Sequence, residues 1–265
     1  MRLATDIARR SVTYGLFGIA IAAAPGFAAD QHYVGEAYVS GGQIAYREEH
    51  WIYEVNGVPN RLVLYRCASG QPFARKLVKY VPDALAPDFD FVDGRDGYRE
   101  GVRSRDGARE VYVQKSAQLP LRTAPLAFQE GAVIDAGFDA YVGRHWLELL
   151  GKHDLKVPFL VPARFAYLDV RLSGVSKSVV DGEPAMNLRM SIDAWFGFAM
   201  PSIDLTYLTA GPRLRRFQGI GNIRDSAGRN QSVRIEFPAS LQLAPSVRDD
   251  IDAAAATPLV GRCTA

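Results

Sequence analysis

Histidine and cysteine are scarce in this 265-residue chain, with four of the first and two of the second. No His-Glu-x-x-His motif supplies a zinc site, no Gly-x-Ser-x-Gly elbow presents a nucleophile, and there is no Ser-x-x-Lys and no cysteine pair at metal spacing. Those absences remove the familiar hydrolase and metalloenzyme classes, so no catalytic residue, metal site or cofactor is assigned. The third glycine of a Gly-x-Gly-x-x-Gly motif is also missing from "RLRRFQGIGNIRDSAGRNQSVRIEF" (213–237). Arg224 stands where a dinucleotide loop needs that glycine, and a strand pattern follows in place of a helix. The stretch reads instead as a hairpin whose arginines lie on its solvated face, with Gly219 and Gly221 marking a bulge or bend. Its six arginines, between 213 and 234, are interleaved with Asp225, followed by Glu236, and have one aromatic among them, Phe217, so bases have little to stack on and no nucleic-acid partner is expected.

A long apolar run is lacking too. Arg2, Arg9 and Arg10 precede "SVTYGLFGIAIAAA", about 14 residues and short of the roughly 17–25 a membrane-spanning helix needs. The small-residue stretch "PGFAAD" follows, and the whole has the order of a secretory signal, with cleavage expected after Ala28. Removing 1–28 takes three arginines and one aspartate from 31 basic and 29 acidic side chains, leaving 28 of each. The exported form then has no net field to gather polyanions. The reading is a signal at 1–28 and a single β-rich domain at 29–265 with a tail from about 239, placed in the periplasm and without a transmembrane segment once mature. In an oxidising compartment Cys67 and Cys263 are expected to pair, the alternative being two separate buried or free thiols.

What the sequence has in quantity is alternation. "AMNLRMSID" sets Met186, Leu188, Met190 and Ile192 against Asn187, Arg189, Ser191 and Asp193, and "YLDVRLS" repeats the pattern with Leu168, Val170 and Leu172. Asn56-Gly57, Ser69-Gly70, Asp106-Gly107, Asp181-Gly182 and Ala227-Gly228 supply tight turns, so neighbouring strands run antiparallel. One segment departs from this. In 133–152, Ile134, Phe138, Tyr141, Val142, Trp146, Leu149 and Leu150 recur at helical spacing, with Gly151 suited to end the helix. A shorter helix is predicted after Ser246, capped by that serine. The fold class is therefore mainly β, an antiparallel meander forming a curved sheet or half-open barrel with one amphipathic helix packed on its concave face.

The remaining clusters each carry two readings. Asp88, Asp90, Asp93, Asp96 and Glu100 read as a solvated double turn neutralised by Arg95 and Arg99, with calcium or an acid/base carboxylate pair as the alternative. His145 and His153 lie eight apart near the helix, but a metal would need further ligands. The aromatics Trp51, Tyr53, Tyr65, Trp195, Phe196 and Phe198, like those of the helix, are core first and a ligand-binding surface second.

Three stretches, "LYRCASGQPFARKLVKY", "DGYREGV" and "LRRFQGIGNIRDSAGRNQSVRIEF", resemble a group of uncharacterised exported proteobacterial proteins among the domain-of-unknown-function families with an open antiparallel barrel. The resemblance implies a periplasmic half-barrel similar in shape to the lipoprotein carriers, whose concave apolar face holds acyl chains under a helical lid. It carries no catalytic residue across. The expectation is a non-enzymatic module for an apolar or amphipathic, lipid-like ligand, with Phe138, Tyr141, Val142, Trp146 and Leu149 lining its cavity. The alternatives are a structural or adaptor protein of the cell envelope with a closed core, and a hydrolase with an unfamiliar site. No protein partner is specified.

Overall fold

The computed structural model describes residues 30–151, 153–193 and 202–264. The segment 1–28 read as a signal and the aromatics Trp195, Phe196 and Phe198 lie outside them. The alternating stretches form one antiparallel sheet of fifteen strands. Its first meander comprises β1 (Gln31–Tyr38), β2 (Ile44–Val55), β3 (Val58–Cys67), β4 (Pro72–Pro82), β5 (Pro87–Asp93), β6 (Tyr98–Arg105), β7 (Ala108–Gln114) and β8 (Arg122–Pro125). The second comprises β9 (Leu155–Val161), β10 (Ala166–Val180), β11 (Glu183–Ile192), β12 (Ile203–Leu208), β13 (Leu214–Arg224) and β14 (Asn230–Glu236). They join where β14 pairs with β1, which also carries the short β15 (Gln242–Leu243). Asn56-Gly57, Asp106-Gly107 and Asp181-Gly182 all have positive φ at both residues, the geometry a two-residue hairpin demands and these dipeptides adopt readily.

That topology leaves β8 and β9 as the two edges, and they do not pair with each other. The sheet is rolled all the same. Inward side chains from both ends of the strand order, among them Tyr46, Tyr65, Phe91, Val113 and Ile235, meet in one apolar cluster. A second cluster gathers Leu172, Met186, Leu188, Leu205 and Tyr207 from β10 to β12. Strand β9 is buried on both faces and lies between them, since Leu160 belongs to the first cluster and Val157, on the opposite face, to the second. The 3-10 turn Pro162–Arg164 that follows β9 rests on β6 and β7, and Arg122 of β8 stacks its guanidinium 5.3 Å from the Phe165 ring.

The helical segment is more broken than its periodicity predicts. Helix α1 covers Gly137–Arg144 and α2 covers Trp146–Leu150, with His145 between them off helical geometry at φ −103°, ψ 20°. Residues 133 and 134 are not helical, because their backbone is already committed to the sheet edge. The Val133 amide donates to the Pro158 carbonyl at 2.8 Å, Leu160 donates to the Val133 carbonyl at 2.9 Å, and Ile134 donates to Leu85 at 2.9 Å. Asp135 then takes φ 44°, and Gly137 lies so close to the Leu85 carbonyl that a Cβ would sit 1.9 Å from its oxygen. Ile134 consequently faces the first cluster, while Tyr141, Val142, Trp146 and Leu149 face the second. Gly151 does end α2, in right-handed geometry.

The second predicted helix is α3 (Arg248–Ala256), but Ser246 does not cap it. Its hydroxyl instead accepts from Trp51 Nε1 at 3.0 Å and bonds His32 Nδ1 at 3.0 Å. Ile251 of α3 covers Trp51, Leu62 and Leu64 on the outward face of β2 and β3. The acidic stretch is likewise strand more than turn. Phe89 and Phe91 point inward, placing Asp88, Asp90 and Asp93 on β5 and Glu100 on β6. The aspartates pair with Arg109, Arg99 and Arg95 at 2.7, 3.3 and 2.6 Å, and Asp96 in the turn reaches Arg224 at 3.3 Å. Among the described residues no group of three or more metal-ligating side chains is placed to hold an ion. The 213–237 hairpin forms as predicted, with a register break between Ile220 and Arg224. Two arginines depart from its solvated face: Arg215 is buried against the Phe237 carbonyl and Glu183, and Arg224 lies over the Tyr98 ring at 4.5 Å.

Beyond α3 the chain runs back over the end of the roll. Val260 donates to the Pro72 carbonyl at 2.9 Å, and Cys263 is bonded to Cys67 with Cα atoms 5.5 Å apart across 196 residues of sequence. No helix among the described residues is long and apolar enough to cross a membrane. Because the crosslink restrains most of the unfolded chain, Cys263→Ser is expected to cost about 2–4 kcal/mol and to lower the melting temperature by roughly 5–10 °C. Thiol labelling of the denatured, unreduced parent should find no free sulfhydryl. Two labelled thiols, or an unchanged melting temperature in the variant, would contradict the bond's structural role.

Candidate functional site

Period-two alternation places a polar layer inside the roll. On β2 the inward phase is Tyr46, Glu48, His50 and Ile52. The register Ile52 to Arg61, Arg61 to Val78 and Val63 to Lys76 carries that layer across β3 and β4. Tyr33 of β1 stacks on His50 with centroids 4.7 Å apart. The segment between β8 and β9 supplies the counter-charges. Asp139 of α1 accepts from Arg61 Nη2 at 2.9 Å and from the Tyr207 hydroxyl at 3.0 Å, and Asp135 accepts from Lys76 Nζ at 2.6 Å. The cation side chains are 11% exposed for Arg61 and 9% for Lys76. Charges this buried are costly unless paired, and losing one partner of a fully buried pair costs about 3–5 kcal/mol. The ion pairs therefore fasten the segment to the inner wall.

Among the described residues, the buried Tyr46 Oη, His50 Nδ1 and Arg61 Nε of the inward layer have no hydrogen-bond partner. Burial raises the Tyr207 phenol, which stays a neutral donor to Asp139. Burial also raises the Glu100 carboxyl, against the Tyr98 hydroxyl bond and the Lys76 charge. The layer thus sets neutral phenols beside two cations, each paired with a carboxylate of the 133–150 segment.

The predicted site residues lie side by side. Tyr141, Val142, Trp146 and Leu149 are buried and Phe138 is half-buried, forming one apolar face against Leu172, Met186, Leu188, Leu205 and Tyr207. Trp146 Nε1 donates to the Thr209 carbonyl at 3.4 Å, and Phe138 meets Phe159 edge-on at 6.3 Å. His145 binds Glu148 at 2.8 Å and is not joined to His153 by any ligand set. Sequence reasoning missed the polar layer altogether. The signal was there: Arg61 and Lys76 share the phase of Val63, Tyr65, Val78 and Tyr80. Two open clefts lie elsewhere. One, of about 620 Å³, sits at the end of the roll between Val39, Arg95 and Asp225. The other, of about 430 Å³, runs along the wall past Tyr53, Leu77 and Tyr112.

No protein-family model matches the chain, and no curated protein matches it. Among solved structures it is similar to a β-barrel-like protein of a domain of unknown function, DUF1849, from Brucella abortus. The two share 10% sequence identity and a TM-score of 0.47 over 79% of this chain and 96% of that one. A likeness of that degree says nothing about function.

Burial lowers the His50 imidazole below its ordinary value, with the Glu48 hydrogen bond at 3.2 Å acting against it. A base whose value falls on folding takes its proton more readily in the unfolded chain, so acidification below about pH 6.5 favours unfolding. His50→Gln should flatten the loss of stability between pH 7 and pH 5, by at most about 1.4 kcal/mol per pH unit, in urea melts at each pH. Parallel profiles for parent and variant would show that His50 is not a buried neutral group.

Proposed function

We propose that the protein is an exported, non-enzymatic binding module of the periplasm that takes a lipid-like amphipathic ligand inside the rolled sheet, beneath the 133–150 segment. The observation that carries this reading is the way the roll is shut. Its edges do not pair. Instead the segment lies on the inner wall, held by a few backbone hydrogen bonds at Val133 and Ile134 and by the Lys76–Asp135 and Arg61–Asp139 pairs. A closure of that kind can lift without breaking the fourteen-strand path of the sheet. In the bound state the apolar face of Phe138, Tyr141, Val142, Trp146 and Leu149 covers the ligand, whose chain lies along Leu172, Met186, Leu188 and Leu205.

The second reading is a structural or adaptor protein in which the same segment is permanent core. Val142 and Leu149, both fully buried, favour it. Trp146→Ala separates the two. On the binding reading, the parent shows saturable binding of a fluorescent fatty acid, protein recovered from a bacterial periplasm carries lipid in native mass spectra, and the variant stays folded but binds much more weakly. On the core reading, the substitution opens a cavity in packed surroundings and costs about 3–5 kcal/mol. A badly destabilised variant of a parent that never bound the probe would leave only the structural reading.

A further inference from the structure

We propose that Arg61, with Lys76 beside it on the inner wall, is the recognition site for the anionic headgroup of a single-chain amphiphile, and that Asp139 and Asp135 hold this site until the ligand displaces them. The inference rests on the binding reading above and adds the chemical class of the ligand. Arg61 opposes Val78 and Lys76 opposes Val63, so the two cations are diagonal neighbours on one face of β3 and β4. Each is buried, and each is matched by a carboxylate that the 133–150 segment brings in from outside the sheet.

The fit of the resident carboxylate to Arg61 is incomplete. Asp139 engages Nη2 at 2.9 Å, while Nε is buried with no hydrogen-bond partner among the described residues. A guanidinium binds a carboxylate best through two parallel N–H bonds, so a headgroup seated on both Nε and Nη2 satisfies a donor that Asp139 leaves unused. Position favours exchange as well. The Asp139 side chain is 34% exposed and that of Arg61 is 11%, so the carboxylate is the solvent-side member and its withdrawal uncovers the cation. Of the further acids of this layer, Glu48 is engaged by His50 Nε2 at 3.2 Å, and Glu100, whose carboxyl burial pushes up, accepts from the Tyr98 hydroxyl at 2.7 Å.

The segment is itself an acid-headed amphipath, with carboxylates at 135 and 139 and an apolar stripe on the turns that follow. Whatever takes its place needs both halves. An acidic peptide would bring backbone amides onto a wall of aliphatic side chains that gives them no partner, a cost an acyl chain does not incur.

The test compares dodecanoate with 1-dodecanol, the same chain with a neutral head, by calorimetric titration of the full, disulfide-bonded protein at pH 8. Dodecanoate should bind at least about tenfold more tightly. Asp139→Asn keeps the size of the side chain and weakens the hold on Arg61. It should raise affinity for both chains several-fold, because the open form becomes more populated. Lys76→Gln should narrow the preference for dodecanoate. Equal affinity of the parent for the two chains overturns the anion site while leaving the binding reading in place, and needs no variant to be decisive. Failure of both chains to bind overturns both readings. Unchanged affinity in a folded Asp139→Asn variant overturns the role given to that carboxylate.

Discussion

An antiparallel sheet that rolls up without closing must still satisfy the backbone groups of its two edges, and the rest of this structure follows from how that is done. Strand β8 is short and exposed. Strand β9 is buried on both faces between the two apolar clusters, so its outer edge cannot be left to water. The chain between them answers the need locally, with Val133 paired to Phe159 in a single parallel bridge and bonded to the Pro158 and Leu160 backbone. Having made that bridge, the segment is committed to the inner wall, and α1 and α2 fall onto β10 to β12.

Electrostatics then decides where the segment stops. Arg61 and Lys76 occupy inward positions that alternation would otherwise assign to apolar side chains, and a buried cation is tolerable only beside an anion. Asp135, in left-handed geometry that suits aspartate, and Asp139, one helical turn on, meet those cations. The same four side chains therefore complete the core and form the polar part of the candidate site. Outside, α3 covers β2 and β3, so the wall that carries Arg61 is supported from both faces.

Much of this was legible in the sequence, and the misses have specific causes. The strands, the Asn-Gly and Asp-Gly hairpins and the apolar face of residues 138–149 were readable because each depends on local spacing. The Cys67–Cys263 pairing was readable from the expected compartment. The polar layer was hidden because β2 and β3 are apolar on both faces: Trp51, Leu62 and Leu64 look outward to α3, so neither phase of "HWIYEV" or "RLVLYR" stands out as the inner one. The acidic run was misread for a related reason. Asp88 and Asp90 are the outward phase of a strand whose inward phase is Phe89, Phe91 and the buried Asp93. The expected Arg95 and Arg99 do pair with Asp93 and Asp90, while Asp88 and Asp96 are met by Arg109 and Arg224 from farther along the chain. The break at Asp135 depends on the Leu85 carbonyl and on β9, which no local pattern announces.

The central claim is that residues 133–150 form a closure with an opening of its own, not a fixed part of the core. Native-state hydrogen exchange at increasing denaturant tests it most directly. The amides of Val133, Ile134, Tyr141 and Leu149 should exchange through a local opening well below the free energy of global unfolding, while Leu62, Leu64 and Met186 exchange only when the sheet unfolds. If the amides of the segment and of the sheet merge into one global isotherm, the segment opens only when the whole protein does, and the account of a lifting closure is wrong.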